Sequence, residues 1–153
     1  MVQEKETLQV VEIALTYRPH FNASELPKIT SAEDAYKIFL NHWDMGRIQL
    51  LEEFRVLLLS RSNKALGVAL ISSGGVSGTV VDPKVVFAIA LKAKASSIIL
   101  AHNHPSGNIN TSLVDKQITK KLKQGGEMLD IQVCDHIIVT NDGFYSYSDD
   151  GLM

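Results

Sequence analysis

The sequence predicts an α/β domain, a mixed β-sheet flanked by helices. Three observations carry that prediction. Apolar runs of strand length interleave with segments of helical period along the whole chain. Helix start signals stand before the helical segments, at Thr30 or Ser31, at Asp82-Pro83, and at Thr111 or Ser112. At least one strand pair is separated only by a short polar turn, so part of the sheet is antiparallel.

The elements follow in order. Leu8, Val10, Val11, Ile13 and Leu15 alternate with polar residues, which suits a strand within the first seventeen positions. Arg18 to Lys28, with two prolines and Asn22-Ala23-Ser24, reads as a loop. A helix follows whose first turn holds Glu33 and Asp34 and whose buried stripe is Ala35, Phe39 and Trp43, with Gly46 as its expected end. Glu52 to Leu59 is a strand, Ser62-Asn63-Lys64 a turn, and Ala65 to Ser73 the returning strand. Ser72 to Thr79 is a Gly/Ser-rich loop. Asp82 caps and Pro83 opens a helix expected to reach about Ala95, with Val86, Ile89, Ala90 and Ala93 inward. Ser97 to His102 is a short apolar strand. The next helix carries Val114, Ile118 and Leu122 and is expected to stop at Gly125-Gly126. Two strands, Ile131 to Cys134 and Ile137 to Thr140, precede an Asn141-Asp142-Gly143 turn into Phe144 to Tyr147.

Composition bounds the function. The chain has 153 residues, 45% hydrophobic and 21% charged, so it can bury a core and is neither a disordered chain nor a coiled coil. Fifteen Lys and Arg face seventeen Asp and Glu, a balance unlike that of proteins that grip nucleic-acid phosphates. Weak, non-specific duplex DNA affinity is therefore expected. One cysteine, Cys134, excludes an internal disulfide and a multi-thiolate zinc site. Met1 to Glu6 lacks the basic-then-apolar pattern of a signal peptide, and the longest apolar run, Val85 to Leu91, is too short to span a bilayer. A cytoplasmic setting with no membrane partner is expected.

The chemistry concentrates in His102-Asn103-His104-Pro105, Ser112 and Asp115. Two histidines two apart on an extended chain project their imidazoles from one face. Pro105 ends the strand, and Asp115 falls in the first turn of the next helix, where the macrodipole favours a carboxylate. Two nitrogens and one oxygen make three ligands for Zn²⁺ and leave a fourth tetrahedral position for water, the pattern of a catalytic zinc site. The plain alternatives are surface histidines and an Asp that only stabilises its helix.

His-x-His, seven residues, Ser, two residues, Asp resembles the signature of the JAMM (MPN+) metalloprotease motif. Ile98 to Gly107, Cys134-Asp135-His136-Ile137-Ile138-Val139, Gly143-Phe144-Tyr145-Ser146 and Ser77 to Pro83 resemble the RadC branch of that superfamily, over about Leu50 to the C-terminus. The resemblance implies one JAB/MPN-like domain over residues 1–153, with 1–49 as an N-terminal strand and helix extension and 50–153 as the metal-site core. It implies a peptide or protein substrate cleaved at a peptide or isopeptide bond by a zinc-bound water. Metal ligands would be His102, His104 and Asp115. Ser112 would donate to the developing oxyanion besides capping its helix. A general-base glutamate is implied upstream, Glu52 or Glu53. The resemblance selects Glu52, since in RadC-like sequences the glutamate stands two residues before the aromatic, here Phe54, and strand parity puts Glu52 on the face of Phe54. The alternative is that both are surface charges. Asn103 stands where ubiquitin-removing members carry Ser or Thr, and residues 1–49 hold no helix-hairpin-helix module.

Two other readings compete. A DNA-repair-associated protein with a structural or regulatory role is suggested by the family's naming and opposed by the charge and the missing module. A zinc deaminase shares the α/β layering, but needs His-x-Glu and Pro-Cys-x-x-Cys. His136 reads as a hydrogen-bonded structural histidine, Lys116, Lys120, Lys121 and Lys123 as a solvated face, and His20 and His42 receive no role.

Overall fold

The computed structural model describes residues 9–76 and 78–153. Within them a short 3-10 turn, Ala23–Glu25, precedes helix α1 (Ala32–His42), strands β1 (Glu53–Leu59) and β2 (Ala65–Ser73), helix α2 (Pro83–Lys92), strand β3 (Ser97–Asn103), helix α3 (Leu113–Met128) and strands β4 (Gln132–Val139) and β5 (Phe144–Ser146). The sheet order is β2-β1-β3-β4-β5. β3 and β4 are parallel, joined through α3, and the other neighbours are antiparallel. This is the mixed sheet flanked by helices that the sequence predicts.

The pleat sorts the core into two layers. Leu57, Leu59, Ile99, Ala101, Ile137 and Val139 face α1, where Ala35, Phe39 and Trp43 cover them. Phe54, Val56, Leu58, Ile98, Leu100 and Val133 face α2 and α3, meeting Val86, Phe87, Ala90 and Leu122. Phe54 pairs with His102 across β1 and β3, so His102 points into the α2/α3 layer.

Local chemistry sets the helix starts. Ser31 and Asp34 form a reciprocal capping box on α1, and Ser112 and Asp115 form another on α3. Asp82 caps α2 with Pro83 in its first turn. α1 ends at His42, before Gly46, because Trp43 turns extended and packs into the α1 layer. α2 ends at Lys92 rather than near Ala95, since Lys94 takes a left-handed φ of 48°.

Three expectations fail for physical reasons. No strand forms over residues 9–17: Val10, Val11, Ile13 and Leu15 are 83–91% exposed and pair with nothing among the described residues. Leu8, and Ser77 in the loop before α2, lie outside the described residues. Gly125 and Gly126 do not stop α3, which runs through them to Met128. Both are there for close packing: a Cβ on Gly125 would sit 2.7 Å from the Phe87 ring, and one on Gly126 would sit 2.2 Å from the Ile131 carbonyl oxygen. Finally, the two strands expected around Cys134 and Ile137 are one strand, β4, with a bulge. Val133 pairs with Ile98 and Asp135 with Ile99, so Cys134 is the extra residue and the in/out phase reverses there.

Gly126→Ala should therefore destabilise the fold by about 1–3 kcal/mol, the usual cost of overpacking. At an open helical site the same change stabilises by about 1 kcal/mol. Urea unfolding of the variant beside the wild type measures the sign.

Candidate metal centre

β3 ends with its pleat split between two tasks. His102 goes to the α2/α3 side, buried, while Asn103 goes to the α1 side and anchors the strand end. The Asn103 Nδ2 group donates to the carbonyls of Ile48 (2.7 Å) and Leu51 (2.8 Å), and its Oδ1 accepts from the Glu53 backbone N–H (2.7 Å). These bonds tie the segment before β1 to the tip of β3, which places Glu52 and the histidines at one end of the sheet. The Glu52 backbone extends the pairing, donating to Gly75 and accepting from Gly74.

At that end His102 Nε2, His104 Nε2 and Asp115 Oδ2 converge. The two Nε2 atoms are 2.8 Å apart, and Asp115 Oδ2 lies 3.3 Å from one and 3.6 Å from the other. These residues could hold a metal ion, each offering one ligand atom. The side chains are 1% (His102), 17% (His104) and 13% (Asp115) exposed. His104 Nδ1 contacts the Asn108 carbonyl, which accepts its proton and leaves Nε2 to face the cluster. The helix start delivers Asp115: Ser112 Oγ accepts from the Asp115 N–H, and Asp115 Oδ2 accepts from the Ser112 N–H. Two neutral imidazoles and a carboxylate are a fitting donor set for Zn²⁺.

Two imidazole nitrogens this close share a hydrogen bond, with the proton on one of them. The hydrogen bond to Asp115, opposed by burial, raises the His104 pKa. Burial pushes the Asp115 carboxyl up, but its two imidazole neighbours, His102 and His104, outweigh it and hold the group far below the ordinary carboxylate range.

The cluster forms one wall of a cleft of about 860 Å³. Glu52 and Ser112 line the same cleft, as do the apolar groups of Phe54, Val76, Val80, Val81, Pro105, Val114 and Ile118. Burial raises the Glu52 pKa, against the pull of His102 and His104. Glu53 is on the opposite face and is no surface charge. It is 1% exposed, paired with Arg55 (2.9 Å) and Arg47 (3.4 Å), and the Arg55 guanidinium lies over the Trp43 ring. In the sequence the two glutamates are separated by the resemblance, which places the glutamate two residues before Phe54, and by strand parity.

Three further residues support this cluster, and of these Thr119 alone has no signal in the sequence. Asn103 is visible there as the residue between the two histidines. His136 Nε2 lies 2.7 Å from His102 Nδ1, and Thr119 Oγ1 lies 2.6 Å from His136 Nδ1. His136 is fully buried, which with the nearby His102 drives its pKa well down. Asp135 secures β4 beside it, accepting from Ser146 Oγ (2.6 Å), Ser148 N–H (2.9 Å) and His136 N–H (2.7 Å). Lys116, Lys120 and Lys121 are exposed on α3, and no Lys or Arg lines the cleft among the described residues. Among those residues no helix is long and apolar enough to cross a membrane.

A family model described as RadC-like JAB domain matches residues 29–152. A UPF0758 protein of Flavobacterium johnsoniae is 47% identical over 128 residues, covering 84% of this chain and 55% of the relative. Another, of Chlorobium chlorochromatii, is 36% identical over 155 residues, covering 99% of this chain and 68% of the relative. A third, of Symbiobacterium thermophilum, is 39% identical over 103 residues, covering 67% and 44%. The chain spans about half to two-thirds of the length of these relatives.

Ion uptake must expel the proton held at His104, whose pKa stands above the ordinary 6.5. The apparent affinity for Zn²⁺ should therefore fall as pH drops, by roughly tenfold per unit below that pKa, with about one proton released per ion. The sign is opposite for the metal-free protein, in which the His104–Asp115 pairing stabilises below about pH 6.5 and is lost as pH rises through the raised pKa. Calorimetric titrations between pH 6 and 8 in buffers of different ionisation enthalpy measure both the affinity trend and the proton count.

Proposed function

Since the chain belongs to the RadC-like JAB domain family, we propose that the cleft hydrolyses a peptide or isopeptide bond in a peptide or protein substrate, with Zn²⁺ held by His102, His104 and Asp115. The observation that carries this reading is the convergence of two Nε2 atoms and one carboxylate oxygen on a single point in the wall of a cleft that Glu52 also lines. Bound Zn²⁺ would supply a water of lowered pKa and a Lewis acid for the scissile carbonyl.

The chain's own residues have separate duties in this mechanism. Glu52 accepts the attacking water's proton and returns it to the leaving amine. Its partial burial favours that role, because a raised pKa brings a carboxylate closer to the working pH. The Ser112 oxygen already accepts from the Asp115 N–H, so its own proton is available to a developing oxyanion. Val76, Val80 and Val114 supply apolar surface to substrate side chains beside the reacting bond. A cleft lined, among the described residues, by two carboxylates and by no Lys or Arg suits a neutral amide better than a phosphodiester. This is why a protein substrate is favoured over nucleic acid.

With a cleavable peptide or isopeptide and Zn²⁺ present, Glu52→Gln should lower turnover by ~10²–10⁴-fold while metal content stays at the wild-type level. Glu53→Gln disturbs the Arg47 and Arg55 pairing instead. It should lower the unfolding midpoint and leave turnover per folded molecule near wild type. An inactive Glu53→Gln beside an active Glu52→Gln would overturn the assignment. Rates are read with metal content measured on the same samples.

A further inference from the structure

His102 and Asp115 are joined by a second route, on the side of the histidine ring away from the point where the ligand atoms converge. His102 Nδ1 meets His136 Nε2 at 2.7 Å. His136 Nδ1 meets Thr119 Oγ1 at 2.6 Å, and Thr119 Oγ1 meets the Asp115 backbone carbonyl at 2.7 Å. The route crosses from β3 through β4 to α3 and returns to the first turn of the helix that carries Asp115. His136, Thr119 and His102 are all buried, so these bonds are shielded from bulk solvent.

The direction of the chain is fixed at one end. A backbone carbonyl only accepts, so the Thr119 hydroxyl must donate to Asp115. With its single proton spent there, Thr119 Oγ1 can only accept from His136, which therefore carries its proton on Nδ1. His136 is buried with only uncharged partners at its ring nitrogens, so it is neutral and its Nε2 holds a lone pair. That lone pair accepts from His102, which therefore carries a proton on Nδ1, so that Nε2, aimed at His104 and Asp115, is the nitrogen with a lone pair to give in the neutral ring. The reverse orientation would leave two oxygens 2.7 Å apart with no proton between them.

Resting on the metal-site reading above, we propose that Thr119 and His136 are positioning residues that set the tautomer of His102 and so make its Nε2 a ligand before any ion arrives. The β4 bulge is the backbone device behind this. Val133 lies in the α2/α3 layer and Ile137 in the α1 layer, although both are odd-numbered positions of one strand. The extra residue Cys134 reverses the phase and turns His136 to the side of His102. The Tyr147 ring then stacks on His136 at 4.7 Å and Phe54 meets it edge-on at 5.5 Å, holding the imidazole in plane. Thr119 sits one helical turn after Asp115, so the same hydroxyl that orients His136 also grips the backbone of the third ligand.

Long-range ¹H–¹⁵N correlation spectra of the metal-free protein, labelled at histidine nitrogen, report which ring nitrogen carries each proton. The expected wild-type pattern is Nδ1–H with bare Nε2 for both His102 and His136. Competition with a chelator gives the Zn²⁺ affinity of wild type and variants. Thr119→Val keeps the shape but removes the hydroxyl. It should cost ~10–100-fold in Zn²⁺ affinity and move His102 away from the single tautomer, while Thr119→Ser restores both. An Nε2–H tautomer at His102 in the wild type, or unchanged Zn²⁺ affinity in a folded Thr119→Val, overturns the proposal. If Thr119→Val does not fold, the wild-type tautomer spectrum decides. If the expected tautomers are found but wild type takes up no Zn²⁺, the orienting chain stands and the metal reading falls.

Discussion

The end of strand β3 is where this molecule is most constrained. Consecutive side chains on an extended strand must leave on opposite faces, and here each face has a claim. His102 turns toward α3 and the cluster, while Asn103 turns toward the α1 layer and spends its whole amide on three backbone groups of the segment 48–53. Loss of any one of these bonds leaves a buried polar group unpaired, at about 1–3 kcal/mol each. The strand tip cannot slide or twist without breaking several together. Everything that lines the cleft from β1, β3 and the start of α3 takes its place from this anchored tip.

The two flanking layers then divide their work. The α1 side holds charge that never reaches the cleft: Glu53 between Arg47 and Arg55, with Arg55 over Trp43. The α2/α3 side keeps its polar groups in one connected set, His104, His102, His136, Thr119 and Asp115, surrounded by the apolar faces of Phe54, Tyr147 and Leu100. A buried polar network is stable only when each member has a partner, and here most bonds run through a group of the candidate centre.

Much of this was legible in the sequence, and the failures are informative. The helix starts were readable because capping is local: Ser31, Asp82 and Ser112 satisfy backbone groups within a few residues of themselves. The His102/His104 pair was readable from the strand pleat and Asp115 from its place in a first helical turn, while their connection through Ser112 came from the resemblance to the JAMM motif. Gly125-Gly126 misled because a helix stop and a close-packing site use the same residue for different reasons, and only the neighbour across the interface, Phe87 or Ile131, distinguishes them. Cys134 misled because a bulge looks from sequence like the gap between two strands; the apolar alternation changes phase in both cases. The apolar residues of the first seventeen positions have strand chemistry, but a strand also needs a partner edge, and a pattern within one segment carries no information about that. The burial of Glu53 depends on Arg55 two residues along β1 and on Arg47 from the turn before it, and the sequence does not show that both reach the same carboxylate.

The central claim is that His102, His104 and Asp115 form one site for a zinc ion. Crystals grown with equimolar Zn²⁺ and measured on both sides of the zinc absorption edge locate the ion directly. The account predicts a single anomalous peak about 2.0–2.2 Å from His102 Nε2, His104 Nε2 and Asp115 Oδ2 together. Zinc bound elsewhere, or an ordered Asp115 carboxylate turned away from the two histidines, would contradict it.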